Sequence, residues 1–172
     1  SMAVEGGSFS DHVGSGAAIT VSGSPSYVVS LAISGSDFRD CTASAITNSY
    51  GAVTVSGSTF VGNSHAGGYG GSIANTYGTV VIAGSSAFRY GLAYRGGAIY
   101  NAGNGKVTVS EDTIFSNNSA TYAGAGGANI YTDASAKSLV VFTTCGGRAN
   151  KAMLDCCTLP AMPWCPSYAI TS

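Results

Sequence analysis

Asp37-Phe38-Arg39-Asp40 is the tightest charged group in this chain. Clustered carboxylates of that kind could serve a polysaccharide lyase or hydrolase, whose acid pairs stand about 5–9.5 Å apart. Glu111 and Asp112 are the other adjacent acids among eight in all, and His12 and His65 are the two histidines. "GNGK" at 103–106 lacks the rest of a phosphate-binding loop and reads as a turn. Four of the five cysteines, Cys145, Cys156, Cys157 and Cys165, fall in one C-terminal stretch and are candidates for one or two disulfides. Their spacing lacks paired CxxC knuckles, so no metal is expected there. Ten tyrosines, a large apolar body with a polar tip each, supply the main stock of binding side chains. Which of these groups meet depends on the elements that carry them.

The composition narrows those elements. Of 172 residues, 9% are charged, against about 25% in a typical soluble domain. The 25 glycines and many Ser, Thr and Ala imply a surface of small hydroxyl and amide groups, which favours an extracellular or cell-surface protein. A net charge of −1 leaves no basic stripe for phosphates, so nucleic acid is not an expected partner. No apolar run approaches the roughly 18 residues of a membrane span, and nothing calls for a cofactor.

The chain repeats itself. Ile19, Ile46, Ile73, Ile99 and Ile130 follow small residues at spacings of 27, 27, 26 and 31. Phe38, Phe60, Phe88, Phe115 and Phe142 recur at 22, 28, 27 and 27. Val53/Val55, Val80/Ile82 and Val107/Val109 alternate with period two in short β-branched runs bounded by Gly, Ser and Asn, as strands do. A period near 27 built from such strands predicts a parallel β-helix, each coil stacked on the last about 4.8 Å away. Gly70-Gly71, Gly96-Gly97 and Gly126-Gly127 mark its corners, where left-handed backbone is needed. Asn48, Asn75 and Asn101, two places after their isoleucines and followed by Thr132, should form an internal amide ladder. Asn63 and Asn118, three places after a phenylalanine, read as a second, incomplete ladder, with Gly91 between them and Cys41 and Cys145 at its ends.

"GGSI" at 70–73 and "GGAI" at 96–99, alternating with "FVGN" at 60–63 and "FSNN" at 115–118, resemble the repeats of the chlamydial polymorphic outer-membrane proteins. The likeness covers roughly residues 38 to 131. It implies a right-handed coil and a role in adhesion to host cells, as in that family's autotransporter passengers. The expected fold is therefore an all-β, right-handed parallel β-helix of about five to six coils over residues 1–144. A Cys/Pro-rich capping segment should follow over residues 145–172, holding three of the four prolines and the one Trp. Open coil ends expose strand edges, so end-to-end self-association is a further expectation.

On this scaffold the acids disperse. Glu111 and Asp112 lie three coils from Asp37 and Asp40, about 14 Å at strand spacing, beyond a glycosidase pair. A second acid in register with Asp37 or Asp40 would mark a carbohydrate-active enzyme, and the repeat alignment supplies none. His12 and His65 sit in different coils without a Ser/Asp or Cys partner. Cys41 reads as a buried stack residue, four coil steps and about 19 Å from Cys145, too far for a disulfide. Tyr69, Tyr94 and Tyr122 fall in variable loops before the glycine corners, while Tyr50/Tyr77 and Tyr100/Tyr131 occupy equivalent places in successive coils. The outward set Thr54/Ser56, Val81/Ala83, Thr108/Ser110 resembles an ice-binding face, although no regular TxT array repeats. The expected function is a non-catalytic adhesive or structural rod. Its partner would be a glycan or protein on a host or neighbouring cell, held through Tyr69, Tyr94, Tyr122, Tyr100 and Tyr131. A carbohydrate-active enzyme with an incomplete site and an ice-binding solenoid are the alternatives.

Overall fold

The computed structural model describes residues 1–123 and 126–133, with backbone alone for 139–142. The proposed cap over 145–172 and its four cysteines lie outside the described residues. Within them the chain is a parallel β-solenoid of about five turns, with no helix. None of the described residues therefore forms a helix long and apolar enough to cross a membrane.

Each turn visits three long sheets. The first stacks Met2–Glu5, Ser30–Ser34, Ala52–Ser56, Thr79–Ala83, Lys106–Val109 and Leu139–Phe142 in that order. The second stacks Ser8–Ser10, Asp37–Arg39, Thr59–Val61, Ala87–Arg89 and Ile114–Ser116, and the third stacks Ile19–Ser22, Ile46–Ser49, Ile73–Thr76, Ile99–Ala102 and Ile130–Thr132. A fourth, short sheet of Ser64–Tyr69, Leu92–Arg95 and Ser119–Ala120 appears only in the later coils, between the second and third.

The alternation of the first sheet explains its burial. Leu31/Ile33, Val53/Val55, Val80/Ile82 and Val107/Val109 point inward and are at most 4% exposed. Ala32, Thr54, Val81 and Thr108 occupy the outward register, a mixed row without threonine regularity. In the second sheet, identical residues in register force identical side chains to stack. Phe9, Phe38, Phe60, Phe88 and Phe115 form a column with ring centroids 4.7, 4.7, 4.6 and 5.1 Å apart. That separation is the strand spacing itself. Fully burying one such side chain contributes about 1.5–3 kcal/mol, so the column and the flanking isoleucines dominate the core.

Two placements differ from the sequence expectation. Phe142 does not extend the phenylalanine column: its strand belongs to the first sheet, where it pairs with Val109. The column begins instead at Phe9, paired with Phe38. At the corner before each isoleucine, Gly70, Gly96 and Gly127 take φ of 68°, 66° and 61°, so the third glycine pair is offset by one and Gly126 is not the left-handed residue. Another corner is built from larger residues. Tyr50, Tyr77 and Gly103 lie in one column at φ 55°, 59° and 64°, and the Tyr77 ring lies against Gly103, where a Cβ would collide with it. A left-handed tyrosine is costly. Here the Tyr50 and Tyr77 rings stack at 4.8 Å, which offsets part of that cost.

The asparagines of the third sheet form a continuous amide chain. Asn48 Nδ2 donates to Asn75 Oδ1 and Asn75 Nδ2 to Asn101 Oδ1, each at 2.8 Å. Each Nδ2 also donates within its own coil, to the carbonyls of Gly51, Gly78 and Gly105 at 3.0, 2.9 and 3.0 Å. A side chain at any of these three glycines would strike the ladder amides. At the lower end Val21 faces Asn48, and Asn48 Oδ1 is buried without a donor. The second asparagine set is arranged differently. Asn63 and Asn118 never meet, because Gly91 separates them, and each clips its coil to the one before. Asn63 accepts from the Cys41 N–H and donates to the Phe38 carbonyl; Asn118 does the same with Gly91 and Phe88.

Candidate functional site

The fourth sheet carries the chemistry that the repeat does not dictate. Relative to Leu92–Arg95, the strand Ser64–Tyr69 holds two extra residues, so the register shifts between Ala93 and Arg95. Ala66, Gly67 and Gly68 take up the extra length. The His65 ring lies over Gly68, and its Nδ1 bonds the buried Ser44 hydroxyl at 3.1 Å, which in turn donates to the Tyr69 carbonyl at 3.0 Å. With the serine proton already engaged, His65 Nδ1–H is the donor, and the pair is a bracket that fixes Tyr69.

The shift has a definite result: Tyr69 stands opposite Arg95, not opposite Tyr94. The Tyr122 N–H bonds the Tyr94 carbonyl at 3.0 Å, which sets Tyr122 opposite Arg95 from the next coil. Tyr69 and Tyr94 therefore belong to strands and not to loops, and the three tyrosines do not occupy equivalent places. In the adjoining third sheet Tyr100 and Tyr131 pair directly and stack at 5.7 Å. The preceding coil offers only Ala74 opposite Tyr100, and the Tyr69 ring occupies that space, stacked on Tyr100 at 4.5 Å. Tyr94 completes the group with edge contacts to Tyr69 at 6.3 Å and Tyr122 at 5.2 Å.

All five tyrosines thus gather around one cation that the repeat pattern does not signal. The Arg95 guanidinium lies 4.3 Å from the Tyr122 ring centre, 5.1 Å from that of Tyr131 and 5.9 Å from that of Tyr94. Its Nη1 donates to the Tyr131 hydroxyl at 3.1 Å. No carboxylate among the described residues pairs with it; the one ion pair there joins Arg39 and Asp37, at 3.5 Å on the surface. Tyr69, Tyr94 and Tyr122 remain 43%, 36% and 36% exposed, so the face is open. Tyr100 is half-buried. Burial, then nearby Asp133 and the neighbouring phenols, push its hydroxyl above the usual tyrosine range.

The acids lie elsewhere. Asp11 stacks in register with Asp40, through the bond from Asp11 N–H to the Arg39 carbonyl, so Asp40 does have an acid one coil away. Both are exposed corner residues with left-handed backbone, φ 53° and 52°. Asp112 accepts from the Ser110 hydroxyl and from the hydroxyl and N–H of Ser85, which together hold its carboxyl below the usual range. His12 bonds the Gly16 carbonyl at 3.0 Å, distant in sequence from His65 and its serine. Cys41 is fully buried, and burial, with Asp40 and Asp11 nearby, pushes its thiol up. No three of the His, Cys, Asp and Glu side chains among the described residues come together as a metal site.

No family model matches this chain, and neither a curated protein nor a solved structure shows significant similarity to it.

Proposed function

We propose that this solenoid is a non-catalytic surface or secreted rod, adhesin-like in role, that binds a glycan through its tyrosine face. The observation that carries the reading is the convergence of Tyr69, Tyr94, Tyr122, Tyr100 and Tyr131 on one side of the rod, three of them substantially exposed. Aromatic rings present broad, rigid apolar faces with a hydroxyl at the edge, suited to the CH faces and hydroxyls of sugar rings. The alternating "GGAI" and "FxxN" phrases, similar to chlamydial polymorphic outer-membrane protein repeats, support an adhesive role at a cell surface. So does the scarcity of charge.

The test is a glycan array probed with labelled protein and with the Tyr69→Ala/Tyr94→Ala/Tyr122→Ala variant. Saturable binding that the variant loses supports the reading. A blank array for a folded protein removes sugar recognition and directs the search to protein partners, with the same three tyrosines as the probe.

A further inference from the structure

The position of Arg95 carries the proposed function one step further, to a class of ligand, and rests on that reading. In a chain so poor in charge, one guanidinium sits at the centre of the aromatic face with no carboxylate partner among the described residues. It is not loose. Tyr122 and Tyr131 flank it, the Tyr131 hydroxyl accepts from Nη1, and its Nε is buried without a hydrogen-bond partner, so the terminal Nη groups are the donors that can meet a ligand. Asp133, at the end of the third sheet, lies near Tyr100 and helps raise the pKa of its hydroxyl. Tyrosine rings hold an arginine by its faces and leave the N–H groups at its edge as donors. Guanidinium donors match a carboxylate in a planar, two-point geometry. Exposed ring faces beside such a donor would receive the apolar face of the sugar carrying that carboxylate.

We infer that the tyrosine face recognises an acidic sugar, a pyranose bearing a carboxylate, with Arg95 receiving the carboxylate and Tyr69 and Tyr94 receiving the ring. Uronic acids and sialic acids share this chemistry, and the ligand panel separates them. The folded protein is titrated with oligogalacturonate, with sialyl-lactose, with carboxyl-reduced oligogalacturonate and with lactose. Arg95→Gln and Arg95→Lys are run in parallel.

At least one acidic sugar should bind roughly tenfold or more tighter than its uncharged counterpart, the effect of a charge-assisted hydrogen bond. The preference should weaken with added salt. Arg95→Gln should abolish it while leaving weak binding of both members of the pair, and Arg95→Lys should restore part of it. Equal binding of acidic and neutral sugars overturns this inference and leaves glycan recognition standing. Preference retained in Arg95→Gln overturns the role of Arg95. Binding of no sugar overturns the inference together with the function it rests on. Should Arg95→Gln fail to fold, the comparison of acidic and carboxyl-reduced ligands on the unaltered protein still decides the ligand class.

Discussion

The interior columns and the tyrosine face use the same kind of side chain in opposite ways. Inside, five phenylalanines repeat in strict register, their rings within 13° of parallel at the coil spacing. Outside, five tyrosines gather around Arg95 with interplanar angles from 4° to 71°, across a strand whose register slips. Repetition makes a column that any coil could continue. Its interruption makes a place unlike any other on the rod, and a specific ligand requires such a place. The two extra residues within 66–68 and the His65–Ser44 bracket are the local means of that interruption.

Stability measurements can break this contrast. Phe60→Ala removes a ring stacked on both sides and should cost about 3–5 kcal/mol in denaturant unfolding, with no change in ligand binding per folded molecule. Asn75→Leu comes next. It leaves Asn101 Oδ1 and the Gly78 carbonyl without that donor and should cost about 2–3 kcal/mol. A cost below about 0.5 kcal/mol would mean that the amide chain is incidental to stability. Tyr94→Ala, on the exposed face, should cost only about 0.5–1.5 kcal/mol while removing most of the binding. The mildest probe is alkaline titration. Tyr100 has its folded pKa raised, so its contribution to stability is complete below the ordinary tyrosine pKa of about 10 and is lost as pH rises through the folded value. Its phenolate absorbance should appear above the ordinary tyrosine range. A Tyr100→Phe variant whose alkaline absorbance curve matches the unaltered protein's at the high-pH end would show that the face does not shelter Tyr100.

The same contrast decides how much of the fold is legible in the sequence. Ile46, Ile73 and Ile99 with Asn48, Asn75 and Asn101 were legible because each recurs in the same place on three successive coils, and parallel register turns recurrence into contact. Phe142 misled for a related reason. It keeps the 27-residue spacing, but the intervening chain returns it to the first sheet, so period alone does not fix register. Phe9 gives little signal in the sequence because a single short phrase carries it. The register of Asp11 with Asp40 is not legible in the sequence because the first coil follows the repeat loosely. Arg95 left no signal at all: it occurs once, and its meaning comes from a register slip that brings Tyr69 to its level, opposite the Tyr122 that regular pairing places there.

The amide ladder gives the rod a direction. Backbone bonds between coils run both ways, as from Thr79 N–H to the Gly51 carbonyl and from Gly57 N–H to the Ala83 carbonyl, so their dipoles largely cancel along the axis. The asparagines do not alternate. Asn48 Nδ2 and Asn75 Nδ2 both donate toward the later coil, aligning amide dipoles each comparable to the roughly 3.5 D of a peptide unit. The row ends at Asn48 in an acceptor with nothing to accept. A molecule with almost no net charge thus has an electrical polarity along its buried core between Asn48 and Asn101.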